Sequence, residues 1–157
     1  MGPVSVREAR EEDAAGILKC LATAFEAYRA EYSEAGFYDT VLTPETIARR
    51  MSEMSVFVAT TDSGEIVGTI ACKAEGEEGH LRGMAVAPGW QGRGLSALLL
   101  ERAEQHLRVQ GCSRISLDTT APLKRAMRFY ERHGYRASGR ISDFFGMPLY
   151  EYEKILR

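Results

Sequence analysis

A chain of 157 residues, 45% hydrophobic and 27% charged, has the size and composition of one globular domain with its own core. Twenty basic against 22 acidic residues leave a formal charge of −2, so the chain lacks the basic field that nucleic acid or an anionic membrane would need. Three scattered cysteines, Cys20, Cys72 and Cys112, form no metal-ligand spacing and suit a reducing compartment.

No stretch approaches the roughly 20 apolar residues that span a bilayer. The opening "MGPVSVREAREED" has no signal-peptide apolar run, so a cytoplasmic protein is expected. Residues 4–9, "VSVREA", alternate and predict a strand. From Glu11 to about Tyr32, Ile17, Leu18, Leu21, Phe25 and Tyr28 recur at helical spacing behind an acidic first turn. "EAGFYDTVL" (34–42) reads as an irregular connector. Thr43, Pro44 and Glu45 then offer an N-cap, a proline at the first helical position and an acid, opening a helix to about Met54. "SVFVATT" and "EIVGTIACKAE" are β-rich runs around Asp62-Ser63-Gly64, which reads as a hairpin turn. After the turn "EGEEG", residues 80–87, "HLRGMAVA", predict a further strand ended by Pro88.

A helix from about Gly94 to Gln110 places Leu95, Leu98, Leu99, Ala103 and Leu107 on one face, with Gly111 to end it. "SRISLDT" is a strand, Pro122 opens a helix running to His133, and Gly134 closes it. "YRASGR", "SDFF" and "PLYEYEKIL" supply two final strands. The resulting order, β-α-α-β-β-β-α-β-α-β-β, is a mixed α/β or α+β layer with helices covering a central sheet, read as a single domain over residues 1–157.

The stretch "GMAVAPGWQGRGLSALLL" (83–100) runs from an apolar strand through Gly89, Gly92, Arg93 and Gly94 into a leucine-rich helix. A helix N-terminus offers unpaired N–H groups and a positive dipole end, and glycines let the backbone approach an anion closely. A P-loop would need G-x-x-x-x-G-K-[ST], and the lysine is missing. Gly92-x-Gly94-x-x-Ala97, with Asp118 ending the next strand, imitates a dinucleotide fingerprint, but Pro88 to Gln91 intervene where the glycines should follow the strand directly.

Val86-x-Pro88-x-x-Gln91-Gly92-Arg93-Gly94-Leu95-Ser96, followed by "ALLL", resembles the coenzyme A-binding motif V-x-P-x-x-[QR]-G-x-G-x-[GA] of the GNAT (general N-acetyltransferase) superfamily. Downstream, "AMRFYERHGYRASG" resembles the family's A-x-x-[FL]-Y-E-[RK]-x-G-[FY] segment at the expected distance. Ser96 stands where the family has Gly or Ala, and Leu123 where it often has an asparagine that contacts the pantetheine arm. The resemblance implies a mostly antiparallel sheet of about seven strands with about four helices on its faces. It also implies acetyl-CoA as co-substrate, without a metal, and direct transfer of the acetyl group to a primary amine.

Carried over residue by residue, the resemblance assigns the cofactor to Met84, Val86, Gln91, Gly92, Arg93, Gly94, Leu95, Ser96 and Tyr130. It makes Tyr130 the acid that protonates the leaving thiolate and directs the Met84 N–H at the thioester oxygen. His80 occupies the position where members carry a catalytic glutamate or histidine, and it suits a general base near neutral pH. Alternation along an unbulged strand would put His80, Arg82, Met84 and Val86 on one face. No cysteine lies near the expected thioester, so no acyl-enzyme is expected.

The acceptor would be a small-molecule or peptide amine, and a homodimer stays open. Tyr28, Tyr32, Phe37, Tyr38, Phe144 and Phe145, with Glu31, Glu34, Asp39 and Asp143, would suit a cationic amine, or else those aromatics close the core under a loop. A non-catalytic acyl-CoA-binding module is the alternative to an enzyme.

Overall fold

The computed structural model describes residues 3–156. Strands β1 (Val4–Glu8), β2 (Ser55–Thr61), β3 (Ile66–Glu75), β4 (Glu78–Val86), β5 (Arg114–Thr120), β6 (Arg136–Phe144) and β7 (Met147–Ile155) form one sheet in the order β1-β2-β3-β4-β5-β7-β6. All neighbours are antiparallel except β4 and β5. Helices α1 (Ala14–Phe25), α2 (Glu34–Val41), α3 (Pro44–Glu53), α4 (Leu95–Val109) and α5 (Lys124–Arg132) cover its two faces. Among the described residues no helix is long and apolar enough to cross a membrane.

Five helices stand where about four were expected. The run 34–42 is helical because Ser33 caps it, its hydroxyl accepting from the Gly36 N–H at 3.2 Å. Phe37 and Val41, one turn apart, supply its buried side. Gly36, Asp39 and Thr40 have weak helix propensity, and tertiary burial overrides it. The long helix expected over 11–32 is regular only from Ala14 to Phe25, with 3₁₀ turns before and after it. Pro122 lies two residues ahead of α5 rather than inside it.

The two faces have separate cores. Leu95, Leu99, Leu100, Ala103 and Leu107 of α4, with Tyr130 and Tyr135, pack on Phe57, Ile70, Cys72, Leu81, Val86 and Leu117. Ile17 and Leu21 of α1, Phe37 of α2 and Ile47 of α3 pack on Val56, Val58, Ala71 and Ala85. Leu98, expected on the buried stripe of α4, is 45% exposed, and Leu100 takes its place because the packed arc is rotated towards β3. The α4 face also buries a carboxylate. Glu104 accepts from the Tyr135 hydroxyl at 2.7 Å and from Lys154 Nζ at 3.1 Å.

Two irregularities in β4 govern the site. Arg82 pairs with Ala71 and Ala85 with Thr69, so Gly83 and Met84 together oppose Ile70 alone. Gly83 adopts φ +61, the left-handed conformation that such a bulge favours in glycine. The extra residue inverts the alternation. Leu81 and Val86, five apart, both face the α4 core, whereas Ala85 faces α1–α3. The single face expected for His80, Arg82, Met84 and Val86 is therefore broken. Met84 and Val86 face α4, and His80 and Arg82 fall on the α1–α3 side.

Pairing of β4 with β5 ends at Leu81–Leu117. Beyond it the two parallel strands part, and β4 runs on to Val86 with no partner on that edge.

Candidate active site

The parting strands open a cleft of about 460 Å³ that passes through the sheet. Met84, Val86, Gln91, Gly92, Gly94, Leu95, Ser96 and Tyr130 all line it, together with His80. Arg93 alone among the expected cofactor residues stands outside, its guanidinium 5.7 Å from the centre of the Trp90 ring.

One end of the cleft is built for an anion. Gly92 and Gly94 take φ +77 and +83, and a Cβ built on either would meet only open space. Their glycine identity thus answers a backbone requirement, and the space they leave belongs to the cleft. Gly94 caps α4 without any side-chain hydrogen bond, so the first-turn N–H groups keep their donors free. Gln91 ties this turn to the strand by donating from Nε2 to the Val86 carbonyl at 3.0 Å.

The second helix at the cleft, α5, has Leu123 at its N-cap, which supplies no side-chain cap and no polar atom. Nearby, the Thr119 hydroxyl is buried on the cleft wall with no hydrogen-bond partner. A buried hydroxyl left unmatched costs about 1–3 kcal/mol, so this atom suits a ligand that brings its own polar group. Gly83 and Met84 add backbone groups that fall between the paired positions of β3 and have no ladder partner in β5. Free strand edge, orphaned hydroxyl and bare helix N-terminus together fit an extended polar chain ending in phosphate.

Tyr130 packs edge-on against Phe129 and Tyr135 at 5.5 and 5.7 Å. Its hydroxyl has no hydrogen-bond partner among the described residues, and burial pushes its pKa well above the usual phenol value.

On the α1–α3 side, His80 Nδ1 lies 3.1 Å from Ser116 Oγ, and Nε2 lies 3.9 Å from Asp118 Oδ2. Burial lowers the His80 pKa below its ordinary value, and Asp118 opposes this. Burial raises the Asp118 carboxyl, which His80 in turn draws down. His80 is thereby held neutral at neutral pH, able to accept a proton, with an acid beside it to steady the charged form.

Three residues of this site were not expected there. In sequence Asp118 reads only as the ribose-binding acid of a dinucleotide fingerprint. The polar alternation Ser116, Asp118, Thr120 in an otherwise apolar strand was its available signal. Thr119 of β5 and Arg50 of α3 also line the cleft, and they leave no trace in sequence because elements far apart in the chain bring them there. Of the acceptor candidates, Tyr28, Tyr32, Asp39 and Phe144 line the cleft. Tyr32 and Thr120 share a 2.6 Å hydrogen bond between hydroxyls. Phe37 is core, Tyr38 is exposed beside Arg29, and Asp143 holds the β6–β7 turn through the Gly146 N–H. His106 bonds Ser55 on the α4 face outside the cleft, and His133 bonds the Phe129 carbonyl.

A seven-stranded sheet parted between two parallel strands, with a glycine turn and a bare helix N-terminus at the opening, is the architecture of acyltransferases that use coenzyme A. The acetyltransferase (GNAT) family matches residues 17–135, and the chain belongs to that family.

Solved structures share the whole fold. The PaiA N-acetyltransferase of Thermoplasma acidophilum, determined in complex with coenzyme A, is 19% identical with a TM-score of 0.82, covering 98% of this chain and 99% of that one. An acetyltransferase of the GNAT family from Staphylococcus aureus is 18% identical with a TM-score of 0.80, covering 99% and 100%. The ribosomal-protein-S18-alanine N-acetyltransferase of Escherichia coli is 18% identical with a TM-score of 0.77, covering 98% and 94%.

Proposed function

We propose that this acetyltransferase moves an acetyl group from acetyl-CoA directly to a primary amine, with both substrates bound together. The observation that carries the reading is the coincidence, in one cleft, of the parted β4–β5 edge with the glycine turn at α4. The fold shared with an N-acetyltransferase determined with coenzyme A supports it. So do the three cysteines, all buried and none lining the cleft, which leave no thiol to carry an acyl group. Burial holds the Cys20 thiol up at about 11 and the Cys72 thiol at about 12. Three free thiols also suit a single domain working in the cytoplasm.

Acetyl-CoA would supply the acetyl carbon as a thioester. The N–H groups from Gly92 to Ser96 bind its pyrophosphate, and Thr119 and the Met84–Val86 edge hold the pantetheine. The Met84 N–H donates to the carbonyl oxygen as negative charge develops there. His80, on the acceptor side of the sheet, takes a proton from the incoming ammonium so that the nitrogen pair is free to attack. A C–N bond forms, the C–S bond breaks, and Tyr130 donates its proton to the departing sulfur. The amine's second proton restores Tyr130, leaving an amide, free CoA and one proton released from His80.

Calorimetric titration with CoA, followed by mass spectrometry of amine pools incubated with acetyl-CoA, tests this reading. Micromolar CoA binding and an amine heavier by one acetyl group are expected. Absence of CoA binding would overturn it, and CoA binding without acetylation of any amine would favour a non-catalytic module.

A further inference from the structure

The acceptor half of the cleft contains two cations that form no ion pair among the described residues. Arg50 extends from the last turn of α3 to the β4 bulge, where a Cβ on Gly83 would collide with its Nη1 atom. Arg82 projects from the same bulge, and both line the cleft. Among the described residues neither guanidinium makes an ion pair or a side-chain hydrogen bond. Arginines that brace the fold elsewhere do pair with acids, Arg7 with Asp13 and Arg114 with Glu78 and Glu153.

Arg50 is half-buried, and desolvation, with Arg82 as a like charge, draws its pKa down to about 10. Asp39 opposes that shift from α2 without coming within ion-pair distance. Across the cleft, Asp118 and His80 face Arg82. The C-terminal dipole of α3 offers Arg50 only a partial charge. Holding a cation out of water beside another cation lowers stability unless a counter-charge arrives. Gly83 matters here as well. A residue with a side chain would close the space the guanidinium occupies, so the bulge admits Arg50 to within one residue of Met84.

Resting on the acetyl-transfer reading, we propose that the amine acceptor carries a carboxylate, bound by Arg50 and Arg82, and is an amino acid or a compound of that form. The proximity of Arg50 to the Met84 backbone keeps the acceptor's carboxylate and its amine only a few bonds apart. The aromatic walls at Tyr28 and Phe144 then receive the rest of the molecule. This narrows the expected cationic amine to one that also bears a carboxylate. Asp39 is the one member of the expected acidic group that lines the cleft, and the other cleft acid, Asp118, is drawn to His80.

The test compares the twenty amino acids with their carboxamides as acceptors, and N-acetyl-amino acids with their amides as ligands of the CoA-saturated protein. CoA affinity is measured separately, so loss of the transfer reading and loss of this one are distinguishable. At least one acid should react or bind about tenfold or more better than its amide, the scale of a charge-assisted pair. Arg50→Met and Arg82→Gln should each raise its KM or dissociation constant by about tenfold or more, with CoA affinity unchanged and kcat affected less. Arg82 is exposed, so its variant tests the pair even should Arg50→Met fail to fold. Carboxamides or polyamines accepted as well as the acids, or no acid preferred in either assay, would overturn the proposal.

Discussion

His80 and Ser116 stand side by side on the parallel strands β4 and β5, Nδ1 to Oγ 3.1 Å, at the next-to-last pair before the strands part. This contact fixes the imidazole with its other nitrogen towards Asp118. The proposed base is thus held by the sheet rather than by a loop.

The pH dependence of turnover follows from that arrangement. Burial places the His80 pKa below its ordinary value of about 6.5, so kcat/KM should rise with pH through a limb below that value. His80→Ala should erase the limb. Asp118→Asn, which removes the charge that raises His80, should move it to lower pH. A limb that shifts with the amine pKa of the acceptor, and survives in His80→Ala, would assign it to the substrate. The same group has a linked effect on stability. The unfolded chain binds this proton more readily, so the contribution of His80 is complete above about pH 6.5 and is lost as pH falls through the folded pKa. Urea denaturation at neutral and mildly acidic pH should show a smaller acid loss for His80→Ala than for wild type.

Tyr130→Phe removes a hydroxyl that no protein group uses. Folding stability should stay within about 1 kcal/mol of wild type. If the phenol protonates the leaving thiolate, kcat should fall about 10- to 10⁴-fold with CoA affinity nearly unchanged. Full turnover at saturating substrates would make it a packing residue.

Gly94→Asp places a side chain and a negative charge into the space before α4, on a backbone with φ +83. CoA affinity should fall by about 100-fold or more, roughly 2.7 kcal/mol. Thr119→Val provides the milder companion, because the hydroxyl it removes is unpartnered. The variant should be as stable as wild type or slightly more so, yet bind CoA more weakly. Calorimetry and thermal melts of the same samples separate the two effects, and undiminished binding by both variants would place the cofactor elsewhere.

Lys154→Met leaves Glu104, whose side chain is 7% exposed, with the Tyr135 hydroxyl and the more distant Arg108. An uncompensated buried carboxylate should cost about 2–4 kcal/mol in chemical denaturation. The double variant Lys154→Met with Glu104→Gln should recover most of that loss, since the amide keeps the Tyr135 bond and carries no charge.

The cofactor half of this protein was written locally. Val86 to Ser96 form a contiguous strand end, turn and helix start, and positive-φ glycines and a bare helix N-terminus follow from residue type and order alone. Tyr130 was legible only through the resemblance of "RFYERHGY" to the family segment, since helical spacing by itself reads it as core. The acceptor half was decided in three dimensions. One extra residue at Gly83–Met84 inverts the alternation of β4, so His80 moves to the face opposite Val86. Period-two patterning cannot show an inserted residue in advance, because both registers satisfy the same apolar count. Arg50, Asp118 and Thr119 come from α3 and β5, and they acquire their roles from the gap between β4 and β5 rather than from neighbours in the chain. Burial without a partner is a property of packed space. Sequence order sets which groups the backbone offers, and only the folded sheet sets which of them remain unpaired.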